Sequence, residues 1–201
     1  MKLKVVVPPH PLIGHWLTTL RNASTPPQIY AKGLEQLGKW LTYEATRNWI
    51  PHKNEKVQTT HQSITSGVII DSGIRILAIT SLPAGLELWN GGKEILPNVS
   101  LCLDCIPNEI DQTNGVVIYE DMISDGISLT EKLKKLEQLK VNSERIRIIT
   151  AISSAPGLSY IGENFPDMTI YTSCIDEKLQ NNSEIFPGIG NPTDCIDTII
   201  R

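Results

Sequence analysis

GVVIYEDMISDGISLTEKL, Gly115 to Leu133, is the stretch on which the fold turns. It opens on a short apolar run, Val116 to Tyr119, with a glycine before it, the pattern of a buried strand. Two acids, Glu120 and Asp121, close the run, and a loop leads into a helical pattern over 127–139. In that helix Leu129, Leu133 and Leu136 share one face, while Lys132, Lys134 and Lys135 fall on the other. Similar apolar runs recur on either side: GVIID, IRILAIT, VSLCLD, RIRIITAIS and MTIYTS. Lone strands alternating with helices specify an α/β fold, a mostly parallel sheet flanked by helices on both sides. Ligands in such sheets bind beyond the carboxyl ends of the strands, which directs attention to the loops after Thr80, Tyr119 and Ile152.

Upstream of the sheet the pattern is helical. Leu12, Ile13, Trp16, Leu17 and Leu20 share a face over residues 10–22. A second helix covers about 27–48, with Leu34, Leu37, Trp40 and Leu41 in period, and Pro51 closing it. Ser24 or Thr25 is placed to cap it ahead of Pro26 and Pro27. Trp16 and Trp40 read as core or dimer contacts. HKNEKVQTTHQS, 52–63, reads as a polar connector.

With 201 residues, 40% hydrophobic and 20% charged, the chain has enough apolar material for one domain with its own core. A net charge of −4 gives no domain-wide attraction for nucleic acid or anionic lipid, and aromatics are too sparse for a base-stacking surface. No apolar run approaches the roughly 20 residues needed to span a bilayer. Neither a nucleic-acid nor a membrane partner is expected. Four cysteines make no disulfide framework and suit a reducing, intracellular compartment. Cys102 and Cys105 form a lone C-x-x-C. On a strand, residues three apart face opposite ways, so the pair would share an ion only across a sharp turn. His10, His15, His52 and His61 are scattered. No metal site is expected.

The loop after Tyr119 carries the chemistry. Two carboxylates at a strand's end, Glu120 and Asp121, suit the hydroxyls of a ribose. The helix start near Gly126 offers free N–H groups to a 5′-phosphate. A P-loop is excluded, because its Lys-Ser or Lys-Thr is absent. Glu120 and Asp121 could equally be a solvated strand end, and Gly188 and Gly190 ordinary turn glycines.

VVIYEDMISDGIS resembles the ribose-phosphate loop of phosphoribosyltransferases of the type I fold. HPLIGHWLTTLRN with LTYEAT is similar to the N-terminal helical arm of the uracil branch. SLPAGLELWNGGKEILPNVSL is similar to its pyrophosphate loop, and SSAPGLSYIGENFPDMTIYTSCIDEKL with FPGIGNPTD to its base-binding hood. The order is preserved from His10 to the C-terminus. The resemblance implies one domain over 1–201: an arm over 1–50, a core over 64–160 and a hood over 168–201. It implies transfer of ribose 5-phosphate from phosphoribosyl pyrophosphate to uracil, giving UMP and pyrophosphate with Mg2+, a step of pyrimidine salvage. Catalysis would rest on positioning and charge stabilisation of a ribosyl cation.

Position by position, the resemblance places Glu120 and Asp121 on the ribose as catalytic residues. Ser124, Asp125, Gly126, Ile127 and Ser128 would hold the 5′-phosphate. Leu82, Pro83, Ala84 and Gly85 would form the pyrophosphate loop. Tyr171, Thr172, Ile175, Asp176, Gly188, Gly190 and Asn191 would enclose the base. A homodimer is implied too, in the cytoplasm or a plastid stroma.

The chain departs from the family pattern in three places. Asp125-Gly126-Ile127 replaces a threonine and two glycines. Pro83 replaces an arginine, and Asn191 and Cys195 replace an acid and an arginine. Two unit charges about 4 Å apart repel by roughly 4 kcal/mol at an effective dielectric near 20, about a thousandfold in affinity. Asp125 can instead bind the N–H groups of its own helix. Two functions follow. One is a homologue with eroded phosphate loops, little or no transferase activity and no bound metal, acting as a binding, regulatory or structural protein for a nucleotide or protein partner. The other is an active enzyme with an atypical site.

Overall fold

The computed structural model describes residues 2–180 and 183–196. Its centre is a parallel sheet in the order β1-β8-β7-β6-β4-β5. In chain order these strands are β1 (Lys4–Val6), β4 (Ile76–Thr80), β5 (Val99–Leu103), β6 (Gly115–Ile123), β7 (Ile146–Ser154) and β8 (Thr169–Thr172). A two-residue strand, β9 (Ile175–Asp176), continues β7's edge. Gly115 to Glu120 are all buried because β6 lies between β4 and β7 with helices on both faces. That position explains why Val116 to Tyr119 form an unbroken apolar run and not an alternating one.

One face is covered by α2 (Pro27–Thr46) and α3 (Ala84–Gly92). Leu34, Leu37 and Leu41 are fully buried against Leu88, Val117 and Tyr119. The other face is covered by α4 (Ile127–Gln138) and α5 (Ala155–Asn164), where Leu133, Leu136 and Ile161 meet Ile118 and Ile148. α1 (Pro11–Arg21) packs on α2 through Ile13 and Leu20. A small hairpin of β10 (Lys178–Gln180) and β11 (Glu184–Phe186), with α6 (Pro192–Ile196), closes the carboxyl end.

The parallel sheet and the two early helices match the sequence reading, and several local details differ. Residues 52–63 are not a plain connector. β2 (His52–Gln58) pairs antiparallel with β3 (Ile64–Ile70) in a hairpin separate from the central sheet. β2 is polar and largely exposed, so nothing in its composition marked it as a strand. Neither Ser24 nor Thr25 caps α2; its N-cap is Pro26, and Thr25 Oγ1 donates back to Thr19 O at 2.7 Å. The Cys102–Cys105 segment does contain a sharp turn. Asp104 sits at φ 49°, and the two sulfurs lie 2.7 Å apart. The strand rule fails there because β5 ends at Leu103.

Candidate functional site

The carboxyl ends of β4 and β6 and the start of α4 enclose a cavity of about 230 Å³. Glu120 reaches into it from β6 and is only 5% exposed. Its Oε1 accepts a hydrogen bond from Lys132 Nζ at 2.5 Å. Burial pushes the Glu120 carboxyl above its ordinary range, and the Lys132 ammonium offsets part of that push. Asp121, its neighbour, accepts from the Met122 N–H at 2.9 Å. Burial raises its carboxyl as well, with the Met122 N–H working against the rise. Asp104 joins them from the turn after β5, its N–H held by Thr80 O at 2.8 Å.

The loop between β6 and α4 depends on Gly126. Its φ of +78° is left-handed, and a Cβ there would meet Gly157 O at 2.7 Å. Gly126 is itself the N-cap of α4 and has no side chain to satisfy the helix. Asp125 does that work from one residue upstream: its Oδ1 accepts the Ile127 N–H at 3.0 Å. One of the free N–H donors at the start of α4 is thereby occupied by a carboxylate.

Against the expected phosphate set, Ser124, Asp125, Gly126 and Ser128 line this cavity. The Ile127 side chain lies outside that lining and is 48% exposed. Of the expected pyrophosphate loop, Leu82 borders the cavity beside Ser81. Pro83 is the N-cap of α3, and Ala84 and Gly85 are buried at the helix start.

A second cavity, of about 480 Å³, adjoins the first and shares Met122 and Ser124 with it. Gly190 and Asn191 line it, together with Phe186, Pro187 and Glu184. Gly190 is left-handed at φ 77°, and the Asn191 side chain accepts the Thr193 N–H at 3.1 Å. Tyr171 and Thr172 are buried on β8, with Thr172 Oγ1 donating to Cys174 O at 3.0 Å. Ile175 on β9 is exposed.

Asp176 and Gly188 act behind that cavity. Asp176 is 6% exposed and receives a two-pronged bond from Arg21, at 2.7 and 3.0 Å, and the Gly188 N–H at 2.8 Å. Arg21 also donates to Gly188 O at 2.9 Å. α1 is thus fastened to the loop that carries Gly190. Burial works to raise the Asp176 carboxyl, yet the Arg21 and Gly188 bonds outweigh it and hold it below the usual range.

Sequence reasoning missed Lys132, Asp104 and Arg21. Lys132 was assigned to the outer face of α4 with Lys134 and Lys135. It lies four residues after Ser128, and helical side chains lean toward the N-terminus, so it points back at the loop. That spacing was a usable signal. Arg21 had none: its partner lies 155 residues away.

Known proteins bear on this arrangement. Residues 7–196 match the family model described as uracil phosphoribosyltransferase. A uracil phosphoribosyltransferase of a Nostoc species is 32% identical over 98% of each chain. That of Synechococcus elongatus is 32% identical over 96% of each. Among solved structures, the AQ2163 protein from Aquifex aeolicus superposes with a TM-score of 0.83 at 25% identity, covering 97% of this chain and 98% of that one.

Proposed function

The chain belongs to the uracil phosphoribosyltransferase family, and from that premise we propose that it has kept the family's base cavity while its sugar-phosphate cavity disfavours the donor. On this reading phosphoribosyl pyrophosphate binds weakly, UMP forms slowly or not at all, and the protein serves as a uracil- or nucleotide-binding, regulatory component. One observation carries the reading. The sugar-phosphate cavity presents four carboxyl groups, on Asp104, Glu120, Asp121 and Asp125, to one ammonium, on Lys132. That ammonium is already engaged by Glu120. An anionic donor would enter a field of its own sign, without the arginine that Pro83 replaces.

A second reading has its own support. Among the described residues no three His, Cys, Asp or Glu side chains are placed to hold a metal ion by themselves. Mg2+ carried on a pyrophosphate needs only one or two protein carboxylates, and Asp104 and Asp121 could supply them. The metal would screen the phosphates and bring positive charge to the cavity. Turnover on this reading proceeds by alignment alone: Glu120 and Asp121 position the ribose and stabilise positive charge developing on it.

Homodimerisation is part of the proposal. The β2–β3 hairpin leaves Ile64 and Val68 exposed, at 72% and 69%, as an apolar surface for a second copy. The described helices include none long and apolar enough to cross a membrane, which fits a cytoplasmic or plastid-stroma location.

Calorimetric titration with Mg2+ present separates the readings. Uracil is expected to bind, with phosphoribosyl pyrophosphate saturating only at about millimolar concentration. A donor that binds at micromolar concentration overturns the first reading.

A further inference from the structure

Neither cavity uses a cysteine, yet two thiols flank Asp104, a residue that lines one of them. Cys102 is half-buried near the end of β5 and Cys105 is exposed just beyond the turn. Their sulfurs are 2.7 Å apart, and a disulfide bond needs about 2.05 Å, so a small movement joins them. Between them lies Asp104, at φ 49°, with its N–H on Thr80 O and its side chain on the cavity beside Glu120 and Asp121. β5 is the edge strand of the sheet.

We propose that Cys102 and Cys105 form a reversible intramolecular disulfide that fixes Asp104 against the cavity, by exchange with a small-molecule or protein disulfide. The exposed Cys105 attacks as thiolate, joins one sulfur of the incoming disulfide and expels the other as a thiolate. Cys102 then loses its proton and attacks Cys105, expelling the second thiolate. Two cysteine thiols are oxidised, one external disulfide is reduced, and the two protons end on the two released thiols. The order follows from exposure. Burial and the Cys105 thiol also push the Cys102 thiol up to about 11, which suits it to the second step.

The remaining cysteines serve as internal controls. Cys174 and Cys195 are half-buried, and Cys174 is engaged by Arg21 and Asp176. This inference does not rest on transferase activity.

The test exposes the whole chain to glutathione disulfide, maps bonds by peptide mass and follows amide exchange at Asp104. The expected product is one Cys102–Cys105 bridge that a dithiol reverses. Closing a ring of four residues should slow exchange of the Asp104 amide about twentyfold. C102S should retain glutathione on Cys105, while C105S should leave Cys102 unmodified over the same time. Independent glutathionylation of both thiols, a bridge to Cys174 or Cys195, or unchanged Asp104 exchange in the bridged protein would each overturn the proposal.

Discussion

Replacing Asp125 by Asn separates charge from structure at the phosphate loop. The Asn side-chain oxygen still accepts the Ile127 N–H, so the bond at 3.0 Å survives and α4 keeps its start. Only the negative charge goes. Asp125 is half-buried, so the effective dielectric lies between the values for protein surface and water. With a phosphate about 5 Å away and a dielectric of about 40, the repulsion removed is about 1.7 kcal/mol. That corresponds to about a fifteenfold tighter donor complex. The lost charge at a helix N-terminus should cost about 0.5 kcal/mol, a fall in Tm of about 1–2 °C. Calorimetry of phosphoribosyl pyrophosphate with Mg2+, on wild type and D125N, reads the first number. Repeating it at 1 M salt, where the screening length is about 3 Å, should shrink the gain. Equal affinity for the two proteins, or a gain indifferent to salt, refutes the electrostatic reasoning.

Three further outcomes follow from the same geometry. R21A leaves the Asp176 carboxylate buried without its cation and should cost about 2–3 kcal/mol, or about 5–10 °C in Tm by calorimetry. Because the Asp176 pKa is depressed on folding, this latch contributes above the ordinary aspartate range near 3.9, and wild-type stability should fall as pH drops through the lowered value; the R21A protein should lose less there. K132M strands Glu120 and should cost about 3 kcal/mol at neutral pH. With the Glu120 pKa raised further, the urea midpoint of this variant should fall as pH rises from about 4.3 through the raised value, and recover on acidification. G126A, forced to a positive φ and against Gly157 O, should destabilise by about 1–3 kcal/mol in urea unfolding.

The parallel sheet was legible because β6 and β7, buried on both faces, are mostly apolar, with runs such as Val116 to Tyr119 and Ile148-Ile149. β2 was not, because an exposed hairpin strand places no demand on composition. At the site, the ordering of Glu120, Asp121 and the Asp125 loop could be read locally, since strand, loop and helix are consecutive. The Arg21–Asp176 latch could not, because it joins residues whose proximity exists only after folding. The Cys102–Cys105 contact fell between these cases. Strand periodicity argued against it, and a single left-handed residue at Asp104 reversed the geometry.

The central claim is that carboxylates crowding the sugar-phosphate cavity shut out the anionic donor. Incubating the purified protein with uracil, phosphoribosyl pyrophosphate and Mg2+ and measuring UMP tests it most directly. Slow or undetectable UMP formation, rising when Pro83→Arg is combined with Asp125→Thr and Ile127→Gly, is the predicted result. Rapid UMP formation by the unaltered chain contradicts the claim.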